Sequence, residues 1–129
     1  MRIAVGVDTA CVARVQNAIE NDAFVARVFT AKERAYCDGR PRPAESYAGI
    51  FCAKEAAAKA IKRGFGAGFM PTDIEVTHTA DGAPTLRFYG RAAEMFSAYD
   101  CDVSISHDGG NAVATVVLAA RNDLGGDNA

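Results

Sequence analysis

The sequence predicts an α+β fold in a single domain. Two observations carry this. Helix signals crowd the first half of the chain, and period-two alternation between turn residues fills the second. The length of 129 residues suits one domain, and neither a repeat nor a linker divides it.

In chain order, Arg2 to Val7 alternates, with Ile3, Val5 and Val7 on one face, and reads as a strand ending at Asp8. Asp8 or Thr9 is placed to cap a helix over Cys11 to Asn21, whose apolar face is Val12, Val15, Ala18 and Ile19. Phe24 to Phe29 is a short apolar segment. Thr30 and Glu33 make a capping box that starts a helix running to Cys37. The stretch DGRPRPAES, Asp38 to Ser46, has two prolines and a glycine and reads as a loop, locally basic through Arg40 and Arg42. The longest helix, Glu45 to Arg63, is favoured by its alanines and stopped by the glycines of GFGAGF, Gly64 to Phe69. Strands are expected over Asp73 to Thr79 and Thr85 to Tyr89, around an Asp-Gly turn. A short helix over Arg91 to Ser97 follows, then strands over Asp102 to Ser106 and Ala112 to Ala119 joined by HDGGN. Residues 1–120 read as the domain and 121–129 as a flexible polar tail.

Composition excludes several classes. Fourteen basic against sixteen acidic residues give a net charge of -2, without the basic excess of a nucleic-acid binder. No apolar run reaches the roughly 18 residues that span a membrane. The opening MRIAVGVD meets an acid too early for a secretory signal, so a cytoplasmic location is expected. Cys11, Cys37, Cys52 and Cys101 are far apart, form no CxxC pair, and read as reduced thiols. His78 and His107 stand at no zinc-like spacing from them.

Three places offer chemistry. Glu55 and Lys59 are four apart and share a helix face. They are either an exposed ion pair worth about 0.2–0.5 kcal/mol or long polar side chains left projecting from a helix of small residues into a site. Asp8 ends the GVD strand as a metal ligand or as a helix cap, and Gly6 permits close approach of a backbone or ligand. In SISH, Ser104 and Ser106 point to one side of a strand, Ile105 to the other, and His107 stands at its end as a functional or a merely solvated residue. There is no GxSxG elbow. GFGAGF follows a helix and fails the dinucleotide-binding pattern, so it reads as a loop.

Taken together, these stretches resemble the holo-[acyl-carrier-protein] synthases, the small single-domain branch of the 4'-phosphopantetheinyl transferases. The matching segments are GVD at Gly6–Asp8, FVARVFTAKE at Phe24–Glu33, FCAKEAAAKA at Phe51–Ala60, DIEV at Asp73–Val76, DGAP at Asp81–Pro84 and VSISH at Val103–His107. They extend to about Leu118. The resemblance implies the 4'-phosphopantetheinyl transferase fold. It implies Mg²⁺-dependent transfer of the phosphopantetheine arm of coenzyme A to a serine of an apo acyl carrier protein, with release of adenosine 3',5'-bisphosphate. It implies a carrier from a fatty acid, polyketide or related pathway.

Carried over residue by residue, the resemblance makes Asp8 and Glu55 the metal-binding carboxylates and Lys59 the helix lysine that faces the phosphates. Ser106 and His107 are the strand-end pair near the 3'-phosphate and the reacting site, and Arg14 lies where the carrier protein docks. Asp8, Glu55, Lys59 and His107 are the implied catalytic group. The proton acceptor is Glu55 through a metal-bound water, or His107. A homotrimer with sites between subunits is also implied.

Two positions depart from the pattern. Ile50 stands where many members carry an arginine thought to contact coenzyme A; Arg40, Arg42, Lys62 and Arg63 are the candidate substitutes. DGGNAVA replaces a bulkier, aromatic-containing segment, which suggests a specialised member. The alternatives are a non-catalytic relative that binds coenzyme A or a carrier protein, and a small structural domain.

Overall fold

The computed structural model describes residues 2–62, 64–66 and 68–121. Among these the order is β1 (Ile3–Cys11), α1 (Val12–Ala18), α2 (Asp22–Val28), α3 (Ala31–Asp38) and α4 (Pro43–Ile61), then a 3-10 turn (Pro71–Asp73). The second half follows as β2 (Ile74–His78), β3 (Pro84–Phe88), α5 (Gly90–Phe96), β4 (Tyr99–Asp108) and β5 (Asn111–Ala120). The α+β class holds, with every strand pair antiparallel.

One sheet has the order β1-β5-β4, and β2-β3 form a separate hairpin. Helix α4 lies on the inner face of the larger sheet, and small side chains bring the two layers close. A Cβ built on Gly6 would stand 1.9 Å from the carbonyl oxygen of Ala56 and 2.6 Å from the amide nitrogen of Ala60. Ala53, Ala56, Ala57 and Ala60 are buried in this contact region with Ala112, Ala114, Val116 and Leu118 of β5. The alanine run therefore serves close packing as well as helix propensity.

Several boundaries differ from expectation. Strand β1 does not stop at Asp8: its pairing with β5 continues to Cys11 opposite Asn111. Asp8 lies within the strand opposite Ala114, and Cys11 is the N-cap of α1, so neither Asp8 nor Thr9 caps that helix. Phe24–Phe29 is largely helical, because the Asn21 side chain accepts from the Phe24 amide and Val25 and Val28 turn into the core. Helix α4 starts at Pro43, whose fixed φ suits a first helical position. The capping box of Thr30 and Glu33 forms as expected.

The hairpin is fastened to the helices by a buried polar cluster. Lys54 Nζ donates to the carbonyls of Pro71 (2.9 Å) and Ile74 (2.6 Å) and lies 2.7 Å from Glu33 Oε1. Glu33 Oε2 accepts from the Val76 amide at 2.7 Å, and Oε1 from the Thr30 amide at 2.8 Å. Glu75 accepts from the Thr30 hydroxyl and the Tyr89 hydroxyl.

All four cysteines are free thiols, and burial pushes Cys37 and Cys52 up to about 12. Arg121 is held at the sheet's end, its amide donating to Ala98 and its guanidinium to Asp100. The rest of the expected tail, 122–129, lies outside the described residues, as do Arg63 and Ala67. Among the described residues no helix is long and apolar enough to cross a membrane.

Candidate active site

The close approach of Gly6 to Ala56 carries Asp8, two residues further along the same face of β1, to the flank of α4 where Glu55 and Lys59 project. Lys59 Nζ lies 2.8 Å from Asp8 Oδ1 and also donates to the Val7 carbonyl at 3.2 Å. Lys59 thus pairs across elements with Asp8, so the local Glu55–Lys59 surface pair is not what the helix presents. The hydrogen bond from Lys59 to Asp8, then their opposite charges, hold the lysine's pKa above its ordinary value.

Glu55 is half-buried. Burial first, and the charge of Asp8 second, push its carboxyl above the ordinary glutamate range, while Lys59 opposes the shift. A carboxyl whose charge is disfavoured by burial and by a neighbouring carboxylate, beside a single ammonium, forms an arrangement that a dication relieves. Both donors are oxygens, the ligand type Mg²⁺ prefers, and one or two carboxylates are its usual protein share beside substrate phosphates. Among the described residues no cluster of three or more metal-ligating side chains occurs. Next to the pair is a hollow of about 250 Å³ lined by Glu55, Ala58, Lys59, Lys62, Gly64 and Phe65.

The remaining expected site residues fall elsewhere. His107 faces the N-terminal part of α4, where its Nε2–H donates to the Glu45 carbonyl at 2.7 Å. It lines a second hollow, of about 180 Å³, with Tyr36, Arg40, Ile50, His78 and Pro84. Gly49 borders this hollow and precedes Glu55 by six residues, about 9 Å of helix rise. Ser106 pairs with Val113 on the outer face of the sheet, so strand alternation turns it away from His107. Arg14 is exposed on α1, whose first amide, that of Val12, donates to Gly110 in the β4–β5 turn.

Two features escaped the sequence reading. Lys54 was hidden among solvated-looking lysines of an alanine helix, although it is 1% exposed. The stack of Tyr36 on His78 (3.8 Å between centroids, 9° between planes), with Arg40 over the tyrosine, joins residues with no shared motif. Ile50, in the place of the expected arginine, is 2% exposed and belongs to the core.

Comparison with known proteins gives a consistent result. The profile of the 4'-phosphopantetheinyl transferase superfamily matches residues 4–117. A holo-[acyl-carrier-protein] synthase of Trichlorobacter lovleyi is 39% identical over 125 residues, covering 93% of this chain and 99% of the relative. The crystal structure of a holo-(acyl-carrier-protein) synthase from Bacillus anthracis in complex with coenzyme A (3',5'-ADP) superposes with a TM-score of 0.78 at 33% identity, over 92% of this chain and 96% of that one. The Helicobacter pylori holo-[acyl-carrier-protein] synthase in complex with coenzyme A gives 0.80 at 29%, over 89% and 99%.

Proposed function

The chain belongs to the 4'-phosphopantetheinyl transferase superfamily, and from that premise we propose that it is a holo-[acyl-carrier-protein] synthase acting through Asp8, Glu55 and Lys59. It transfers the 4'-phosphopantetheine arm of coenzyme A to a serine of an apo acyl carrier protein. The observation that carries the residue assignment is the convergence of Asp8 from β1 with Glu55 and Lys59 from α4 beside an open hollow. In the reaction the carrier serine oxygen bonds to the β-phosphorus of the pyrophosphate. The bond from that phosphorus to the bridging oxygen breaks, and adenosine 3',5'-bisphosphate leaves with the electron pair.

Phosphoryl-type transfer asks the protein mainly for positioning and charge stabilisation. Lys59, fixed by Asp8, presents its ammonium to the pyrophosphate. Glu55, the half-buried carboxylate at the hollow, accepts the serine proton. His107 is the weaker candidate for that role, since it stands at the other hollow with Nε2 committed to Glu45. Asp8 and Glu55 would hold Mg²⁺, which when bound offsets negative charge on the pyrophosphate.

The hollow of His107 receives the nucleotide end of coenzyme A. Position 50 is filled by core packing, and Arg40 and Arg42, which flank His107 at the mouth of that site, supply the cation that an arginine there would give. The transferase domain spans 1–120, the enzyme works in the cytoplasm, and the acidic carrier docks through Arg14 on α1.

A homotrimer covers the outer sheet face. Ile3, Val5, Val7 and Val117 leave that face 61, 54, 51 and 38% exposed, an apolar stripe that a lone chain would not conceal. Ser106 shares that face and therefore reaches a site only across a subunit boundary. Val5→Asp, opposite Val117 in the register, is expected to yield monomers in light scattering and to lose transfer activity. A trimeric Val5→Asp protein refutes this interface.

Transfer itself is tested by intact-mass analysis. Incubated with coenzyme A and Mg²⁺, an apo carrier protein gains the mass of the phosphopantetheine arm. No gain across several fatty acid and polyketide carriers, with coenzyme A still bound in calorimetry, establishes the non-catalytic reading instead.

A further inference from the structure

Among the described residues Lys62 is the one non-glycine residue with a positive φ, at φ 62° and ψ 36°. It closes α4, its amide donating to the carbonyls of Ala58 and Lys59. A residue just past a helix commonly adopts this left-handed conformation, and glycine does so freely, whereas a side chain with a Cβ is strained there. Strain of this kind collects at ligand clamps and active sites, where it is held by its surroundings.

The place of Lys62 gives the strain a use. Its side chain lines the hollow that Glu55 and Lys59 also line. Lys59 is already engaged by Asp8 and the Val7 carbonyl. Lys62 makes no ion pair among the described residues. The hollow therefore holds one ammonium tied to a carboxylate and one that is not.

We infer that Lys62 is a second phosphate-binding cation, contacting the pyrophosphate of coenzyme A from the C-terminal end of α4. The inference rests on the proposed transferase reading. A lysine head on a flexible stem, with three donors, suits a point-charge contact to a phosphate. The left-handed backbone turns the chain at α4's end and so sets that head at the hollow's rim.

Three variants separate charge from backbone strain. Lys62→Gly removes both: its Tm should rise by about 2–5 °C, while calorimetry with Mg²⁺ should show coenzyme A bound roughly tenfold more weakly. Lys62→Gln keeps the strain and loses the charge, so it should show the weaker binding without the gain in Tm. Lys62→Arg should bind nearly as the wild type does. The KM for the carrier protein should stay unchanged in all three.

Wild-type coenzyme A affinity in both Lys62→Gly and Lys62→Gln overturns the inference. So does a raised KM for the carrier with coenzyme A affinity unchanged, since that places Lys62 at the protein partner. Binding of coenzyme A by the wild type without transfer counts against the transferase reading alone, and the affinity comparison still decides the role of Lys62. A wild type that binds no coenzyme A overturns both.

Discussion

Glu55→Gln is expected to lower the rate of arm transfer by roughly 100-fold or more and to leave the fold intact. The amide keeps the size of the side chain but removes both the negative charge that would hold Mg²⁺ and the proton acceptor at the hollow. Asp8→Asn should do the same and also release Lys59, whose Nζ lies 2.8 Å from the Asp8 carboxylate. Both losses are read by the intact mass of the carrier over time, at saturating coenzyme A. Full activity in either variant refutes the carboxylate pair.

Stability separates this from mere damage. The Glu55 pKa is raised in the fold, by burial and then by Asp8. A raised acid binds its proton more tightly in the native state, so its contribution is most favourable at low pH. Stability falls as pH rises from the unfolded to the folded pKa. Once Glu55 is ionised the metal-free protein bears the cost of that carboxylate, and glutamine removes it. Glu55→Gln should therefore melt at or above the wild-type temperature while being inactive. A clear drop in Tm would mean that Glu55 is a structural residue.

Much of this was legible from the chain. The capping box at Thr30 and the alanine-driven α4 rest on local signals, and both formed. Gly6 suggested close backbone approach, which the contact with Ala56 bears out. Faces and partners were less legible, because they depend on contacts distant in sequence. Alternation put Ile3, Val5 and Val7 together on one face but did not reveal that α4 covers the opposite one. The same alternation already parted Ser106 from His107, although the resemblance treated them as a pair. Helix α2 was missed because Phe24–Phe29 is too short for a clear period, and its start depends on the Asn21 cap. The burial of Lys54 was not legible, since the alanine-rich run FCAKEAAAKA says nothing of what packs above it.

Lys54 supports the largest expected effect on stability. Lys54→Met should destabilise the fold by about 3–5 kcal/mol, seen as a fall in Tm of roughly 10–20 °C. The substitution roughly conserves the stem volume but leaves Glu33, itself 0% exposed, without its cation. It also removes the Lys54 donor from the Ile74 carbonyl, 2.6 Å from Nζ, and one of the two donors to the Pro71 carbonyl, which keeps the Ile74 amide. Burial is the largest influence on both groups and leaves the Glu33 pKa raised and that of Lys54 lowered, while each partner's charge and hydrogen bond oppose the shift. The penalty is thus mainly that of a buried polar group left without its partner. It follows that Glu33→Gln combined with Lys54→Met should be less destabilising than the sum of the two single changes, by at least about 1 kcal/mol. Strict additivity in urea melts would show that the two residues act independently. The position also matters for chemistry, since Lys54 precedes Glu55 in α4 and ties that helix to the hairpin through the 3-10 turn and β2. Loosening this anchor should raise the KM for coenzyme A in the fraction that remains folded, because the carboxylate and the lysines of α4 then lose their fixed position relative to Asp8.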